Sequence, residues 1–267
     1  MIETLGSSHQ SVRRLRRLLQ KRSERWSEGV CVIEGPDLVN AALDTGADFE
    51  GIFVDEGALD DESVVALVTR AANDGIRIFL LATGTLEKIS DAMTPQPILA
   101  AVRMAPRAVN ELPEIRFALV LHDIRDPGNA GTLIRSADAS GASAVIITGQ
   151  SVDPYNPKTL RATAGSIFRV PVVLCSLEAA VDELQSRGVR IWATVVRDGL
   201  DARKVDFTGP SAVVVGNEAQ GLNSAEVALC DGSISIPMAG GAESLNAAIA
   251  GSLLAFHAYY QQLDTKI

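Results

Sequence analysis

The run Phe117-Ala118-Leu119-Val120-Leu121, followed four residues on by Asp126-Pro127-Gly128-Asn129-Ala130-Gly131-Thr132-Leu133-Ile134-Arg135, reads as a buried strand, a turn and the start of a helix. A short apolar run closed by turn residues is the pattern of a strand covered on both faces. Similar runs recur at Ala144–Thr148, Val170–Leu174, Arg190–Val196, Ala212–Val215 and Ser233–Pro237, with helical stretches between most of them. This alternation predicts an α/β fold built on a parallel sheet. Two more Gly/Asn-rich segments, Gly216–Leu222 and Ile236–Asn246, also follow a strand and precede a helix. In a parallel sheet all three would emerge at the carboxyl edge, where open α/β folds bind ligands.

Upstream, Ala105–Pro113 breaks both periods and reads as a linker. It divides the chain into an N-terminal domain over residues 1–108 and a second domain over 113–267. The N-terminal part predicts short strands at Val30–Ile33, Gly51–Val54 and Arg77–Leu80, with helices at Leu38–Thr45 and Glu62–Asn73. A basic helix is expected over about residues 9–27. There Val12, Leu15, Leu18 and Leu19 recur at helical spacing, with Arg13, Arg14, Arg16 and Arg17 between them. Three readings fit this helix: a surface helix with a solvated basic face, an RNA contact, or a membrane-surface helix.

The 267 residues are 47% hydrophobic and 21% charged, the balance of a globular protein with a sizeable core. No uninterrupted apolar run reaches eighteen residues, so no membrane span is expected. The start Met1-Ile2-Glu3-Thr4 does not read as a secretory signal. Cys31, Cys175 and Cys230 are odd in number and far apart, as in a reducing cytoplasm, and form no zinc or redox motif. His9, His122 and His257 make no legible set with a nucleophile or a metal, so the expected chemistry is metal-free. A net charge of −9 argues against a nucleic-acid partner when taken whole, but residues 1–28 carry +4 and the remaining 239 carry −13.

Neither phosphate-binding glycine fingerprint is present. The second and third loops hold no Lys or Arg but carry Glu218 and Glu243. Such loops suit a neutral or cationic ligand held by backbone groups, and S-adenosylmethionine is one such ligand. Each residue also has a plainer reading. Asn129 and Ser244 stand where helix N-caps belong, Gly216 and Gly221 would serve as turn residues, and Arg135 would serve as a surface ion-pair residue.

At these loops the sequence resembles the SpoU (TrmH-type) family of SPOUT RNA 2′-O-ribose methyltransferases. The family's N-x-G-x-x-x-R is matched by Asn129, Gly131 and Arg135, and its G-N/S-E-x-x-G by Gly216, Asn217, Glu218 and Gly221. Its I-P-M and S-L-N are matched by Ile236-Pro237-Met238 and Ser244-Leu245-Asn246. Asn156-Pro157-Lys158 and Arg161–Ser166 also look like the family, with Thr163 where Ser is usual; Ala247-Ala248 replaces a common Val-Ser, and Pro97 stands where Gly is common. Glu34-Gly35-Pro36-Asp37-Leu38 looks like its ribosomal-protein-L30-like substrate-binding module.

The resemblance implies a C-terminal trefoil-knot domain that binds S-adenosylmethionine, a smaller N-terminal α/β domain that binds RNA, and a homodimer. It implies Arg135, Asn129, Glu218, Ser244 and Asn246 as catalytic residues. Thr194, Gly216, Asn217, Gly221, Ile236, Met238 and Leu245 would hold the cofactor. RNA contact would fall to Arg13, Arg14, Arg16, Arg17, Arg135 and Arg161. The substrate expected is large-subunit (23S-type) rRNA, with tRNA as the alternative. A non-catalytic RNA-binding protein on this fold and a nucleotide-dependent dehydrogenase are the competing classes. Leu245, Ile249, Leu253, Phe256 and Tyr260 would form one apolar stripe on the last helix, facing either a partner subunit or the subunit's own core.

Overall fold

The computed structural model describes residues 4–90 and 94–264. Met1–Glu3 and residues 265–267, the two ends of the expected domains, lie outside the described residues. The chain forms two compact units: Met1–Ala105 with Tyr155–Phe168, and Pro106–Pro154 with Arg169–Ile267. The first crossing falls inside the stretch read as a linker. Two further crossings make the region drawn as one domain over 113–267 discontinuous.

The first unit runs β1 (Thr4–Leu5), α1 (Gln10–Gln20), α2 (Arg22–Glu28), β2 (Val30–Glu34), α3 (Pro36–Asp44), β3 (Phe49–Asp55), α4 (Glu62–Asn73), β4 (Ile78–Leu81), α5 (Leu86–Ile89) and β5 (Ile98–Arg103). Its sheet has the order β1-β4-β3-β5-β2, with β5 antiparallel to both neighbours. The sequence reading omitted β5, whose Ile-Leu-Ala-Ala-Val core has no alternation to separate strand from buried helix. Val12, Leu15, Leu18 and Leu19 of α1 enter the core with Val30, Val32, Phe53 and Leu99. The basic stretch is two helices rather than one, because Lys21 is extended (φ −119°, ψ 118°). Arg25 is buried at 2% exposure and donates to the carbonyls of Leu18 (2.7 Å) and Leu19 (3.3 Å), the orphan acceptors at the end of α1.

The second unit runs β6 (Phe117–His122), α6 (Pro127–Ala139), β7 (Ala144–Thr148), then α7 (Pro157–Thr163), which belongs to the first unit. It continues with β8 (Val172–Leu174), α8 (Leu177–Ser186), β9 (Arg190–Thr194), β10 (Leu200–Asp201), β11 (Ser211–Val215), α9 (Ser224–Ala228), β12 (Gly232–Ser235) and α10 (Ala247–Asp264). All seven strands are parallel, in the order β10-β12-β9-β11-β6-β7-β8. β6, β7 and β11 are buried along their whole length, which explains their uninterrupted apolar runs. On the last helix, Gly251 lets α10 lie against α6: a Cβ there would stand 2.4 Å from Leu133 Cδ2.

Within the first unit, α7 is joined to β2 by an ion pair between Arg161 Nη1 and Glu34 Oε2 at 3.1 Å. The Glu34 carboxylate is 1% exposed and also accepts from Ser90 Oγ (2.9 Å) and the Gln96 N–H (3.0 Å). A buried carboxylate needs such donors, so Arg161 is engaged in holding the first unit together.

Candidate active site at the carboxyl edge of the parallel sheet

Strands β12, β9, β11 and β6 are consecutive neighbours in the sheet. The loops leaving β6, β11 and β12 therefore emerge side by side, and the end of β9 lies among them. That placement brings Thr194 to the site. A cavity of about 260 Å³ opens there. Its walls include Thr194, Gly216, Asn217, Gly221, Ile236, Met238 and Leu245, the set named from the sequence as cofactor-binding, together with Glu218 and Ser244. Sequence reading did not assign Val195, Ile234 and Leu254 to the site, apolar wall residues that stand in none of the motifs.

The second loop folds back on itself. The Gly221 N–H donates to the Asn217 carbonyl (2.9 Å), and a Cβ on Gly216 would stand 2.6 Å from the Gly221 carbonyl carbon. Only glycine fits at position 216 without moving backbone. Gly221 itself has φ +66°, the left-handed region.

Three side chains join the loops. Asn246 Nδ2 donates to Asn129 Oδ1 (3.0 Å), and Asn129 Nδ2 donates to Glu218 Oε1 (3.1 Å). Glu218 also accepts the N–H groups of Asp126 (3.1 Å) and Arg125 (3.3 Å) at the start of α6. Burial opposes the charge on Glu218. The donors around it, Asn129 and nearby backbone N–H groups, outweigh that penalty and hold its carboxyl below the usual carboxylate range. Each loop thus fixes the next.

The capping explanation fails for both residues it was offered for. Asp126 caps α6 by accepting from the Asn129 N–H, and Asn246 accepts the N–H groups of Ala248 and Ile249 at the start of α10. Arg135 lies on the exposed face of α6 and makes no ion pair among the described residues, so the surface ion-pair reading of it fails too. Asn129, Arg135 and Asn246 are not cavity walls; two of them reach it through Glu218.

The predicted RNA contacts on the first unit divide. Arg14 is paired with Glu28 and with Glu50 (2.7 Å), and Arg17 with Glu24 (3.3 Å). Arg13 and Arg16 are exposed and make no ion pair among the described residues. Among the described residues no group of three His, Cys, Asp or Glu is placed to hold a metal, and no helix is long and apolar enough to cross a membrane.

A cationic, partly apolar ligand fits this cavity. Its walls hold no Lys or Arg, and its single carboxylate stands among backbone groups and apolar side chains. Known proteins agree with the geometry. Residues 116–256 match the SpoU rRNA Methylase family, and residues 9–100 match the MRM3-like substrate binding domain. The 23S rRNA (guanosine(2553)-2′-O)-methyltransferase RlmP of Bacillus subtilis is 35% identical over 242 residues, 90% of this chain and 92% of that protein. An AdoMet-bound rRNA methyltransferase from Sinorhizobium meliloti superposes with a TM-score of 0.86 at 28% identity, covering 96% of this chain and 97% of that one. The SpoU methyltransferase AviRb from Streptomyces viridochromogenes, in complex with AdoMet, gives 0.85 at 28% identity, with 96% and 98% covered. With the three loops joined in this way and the family model spanning more than half its length, the chain belongs to the SpoU rRNA methylase family.

Proposed function

We propose that the chain methylates a ribose 2′-hydroxyl of large-subunit ribosomal RNA, using S-adenosylmethionine held in the cavity walled by Thr194, Gly216, Ile236, Met238 and Leu245. The observation that carries this reading is the Asn246–Asn129–Glu218 chain. It orders all three loops, and Arg135, exposed on the helix that follows the first of them, makes no ion pair among the described residues. S-adenosylmethionine, when bound, supplies an electrophilic methyl group on a positively charged sulfur. The protein's task is to hold the hydroxyl in line and to stabilise the charge that grows on its oxygen. Arg135 fits that second task. A guanidinium stays protonated and cannot serve as a base, but its fork of donors matches an alkoxide and the adjacent phosphate. The hydroxyl proton then passes to water or phosphate. Glu218 is a positioning residue: its acceptor sites are taken by Asn129 and the start of α6, not by Arg135.

RNA contact on the first unit falls to Arg13 and Arg16, whose charges are not spent on carboxylates. Arg14, Arg17 and Arg161 keep mainly structural roles. The working form is a cytoplasmic homodimer. Ile249, Leu253, Tyr260 and Leu263 on α10 are 53%, 51%, 58% and 40% exposed, an apolar face suited to a second copy of the chain.

The test is to incubate the protein with methyl-labelled cofactor and, separately, with unmodified rRNA and tRNA, and then to map the label. Label on a ribose of rRNA is expected. Label on a base would overturn the 2′-O assignment, and label in tRNA alone would reassign the substrate.

A further inference from the structure

We infer that His122 is a positioning residue for the cofactor loop, acting through Glu226 in a contact that none of the sequence motifs contains. The inference rests on reading the cavity as the cofactor site. His122 ends β6, with its side chain 10% exposed. Its Nε2 lies 3.1 Å from Glu226 Oε1, and its Nδ1 lies 2.9 Å from Thr148 Oγ1 at the end of β7. An ionised carboxylate can only accept, so Nε2 carries a proton in this pairing.

Glu226 is itself fixed at the start of α9. It accepts the Asn223 N–H (2.8 Å) on one oxygen and Asn223 Nδ2 (2.6 Å) on the other. The second loop, Gly216–Leu222, runs directly into Asn223. Its far end is therefore held to β6 by His122.

The near end is held by the next residue. Asn217 Nδ2 donates to the Asp123 carbonyl (2.8 Å), while Asn217 Oδ1 accepts from Ala219 (3.0 Å) and Gln220 (3.1 Å). Asp123 adopts φ +55° and accepts the Gln150 N–H. Gly149 leaves room for that carboxylate, since a Cβ there would stand 2.2 Å from Asp123 Oδ1. Two consecutive residues, His122 and Asp123, thus grip the two ends of a loop that walls the cavity. The His122 contact uses a side chain, so it can be removed without touching any cavity wall.

His122→Leu and Glu226→Gln test this; the second keeps a capping side chain at the start of α9 if the first fails to fold. Amide exchange at Ala219, Gln220 and Gly221 should quicken about tenfold in either variant. The dissociation constant for S-adenosylmethionine should rise about tenfold, while turnover at saturating cofactor stays within about twofold. His122→Gln, which keeps a donor for Glu226, should restore most of both. Unchanged exchange overturns the latch, with or without cofactor present. Faster exchange with unchanged cofactor affinity overturns its role in positioning the site, as does turnover that falls in step with affinity. Wild-type protein that binds no S-adenosylmethionine overturns the cofactor reading instead.

Discussion

Arg135 and Glu218 show how two charged residues in neighbouring motifs are put to different uses. Arg135 has no ion pair among the described residues, so replacing it leaves no buried charge behind. Arg135→Ala is expected to lower methyl transfer by about a hundredfold or more at unchanged cofactor affinity, as measured by single-turnover kinetics and calorimetry. Near-normal turnover in Arg135→Lys would show that charge suffices and the fork does not matter. Glu218 has a depressed folded-state pKa, so its contribution to stability is fully present above the ordinary value of 4.5 and is lost as pH falls through the lower folded value. The gap in melting temperature between wild type and Glu218→Gln should therefore be wide near pH 7 and close as pH falls below 4.5, through the lower folded-state value. A gap that does not depend on pH would mean that the carboxylate's charge is not what holds the loops. The motif residues were legible singly in the sequence. Their hydrogen-bond partners were not, because Asn129, Glu218 and Asn246 are brought together only by strand order.

Among the elements, α1 was read correctly as amphipathic, and its apolar stripe is the face packed on the first sheet. Its basic face is less uniform than its composition suggests. Counting charges could not reveal that Glu28 and Glu50 occupy Arg14, or that Arg25 is turned inward onto the end of the helix. These engagements set a contrast. Neutralising Arg13 and Arg16 should weaken RNA binding and reduce its salt dependence by about one counterion per arginine, with little effect on folding. Arg14→Ala should instead cost about 0.5–1 kcal/mol of stability, a small figure because the pairs are partly exposed, with a weaker effect on RNA affinity. Filter binding across a salt series and denaturant unfolding distinguish the two. Strand β5 marks the limit of periodicity: a buried run of Ile, Leu and Ala lacks the alternation that would place it in the middle of a mixed sheet.

For the whole molecule, the exposed apolar face of α10 leads to a prediction of assembly. For the proposed homodimer, wild type should sediment as a dimer and Ile249→Glu with Leu253→Glu as a folded monomer in sedimentation velocity. An unchanged mass would assign that face to something other than a second copy. The net charge of −9 also changes meaning at this scale. On the proposed function, the exposed arginines that make no ion pair among the described residues, rather than the total, are the positive charge offered to RNA. By itself the sequence determined six of the seven strands of the parallel sheet, missing only the two-residue β10, together with the three Gly/Asn-rich loops and the kind of ligand they suit, because strand period, turn residues and absent fingerprints are local properties. Only the tertiary structure decided which strands are neighbours. Setting β9 and β11 between β12 and β6 gathered the cavity walls between Thr194 and Leu254, joined the β6 loop to them across 117 residues of chain through Asn129 and Glu218, and the chain's return put Tyr155–Phe168 in the first unit. Strand order and chain return depend on contacts between residues distant in sequence, and no local pattern encodes them.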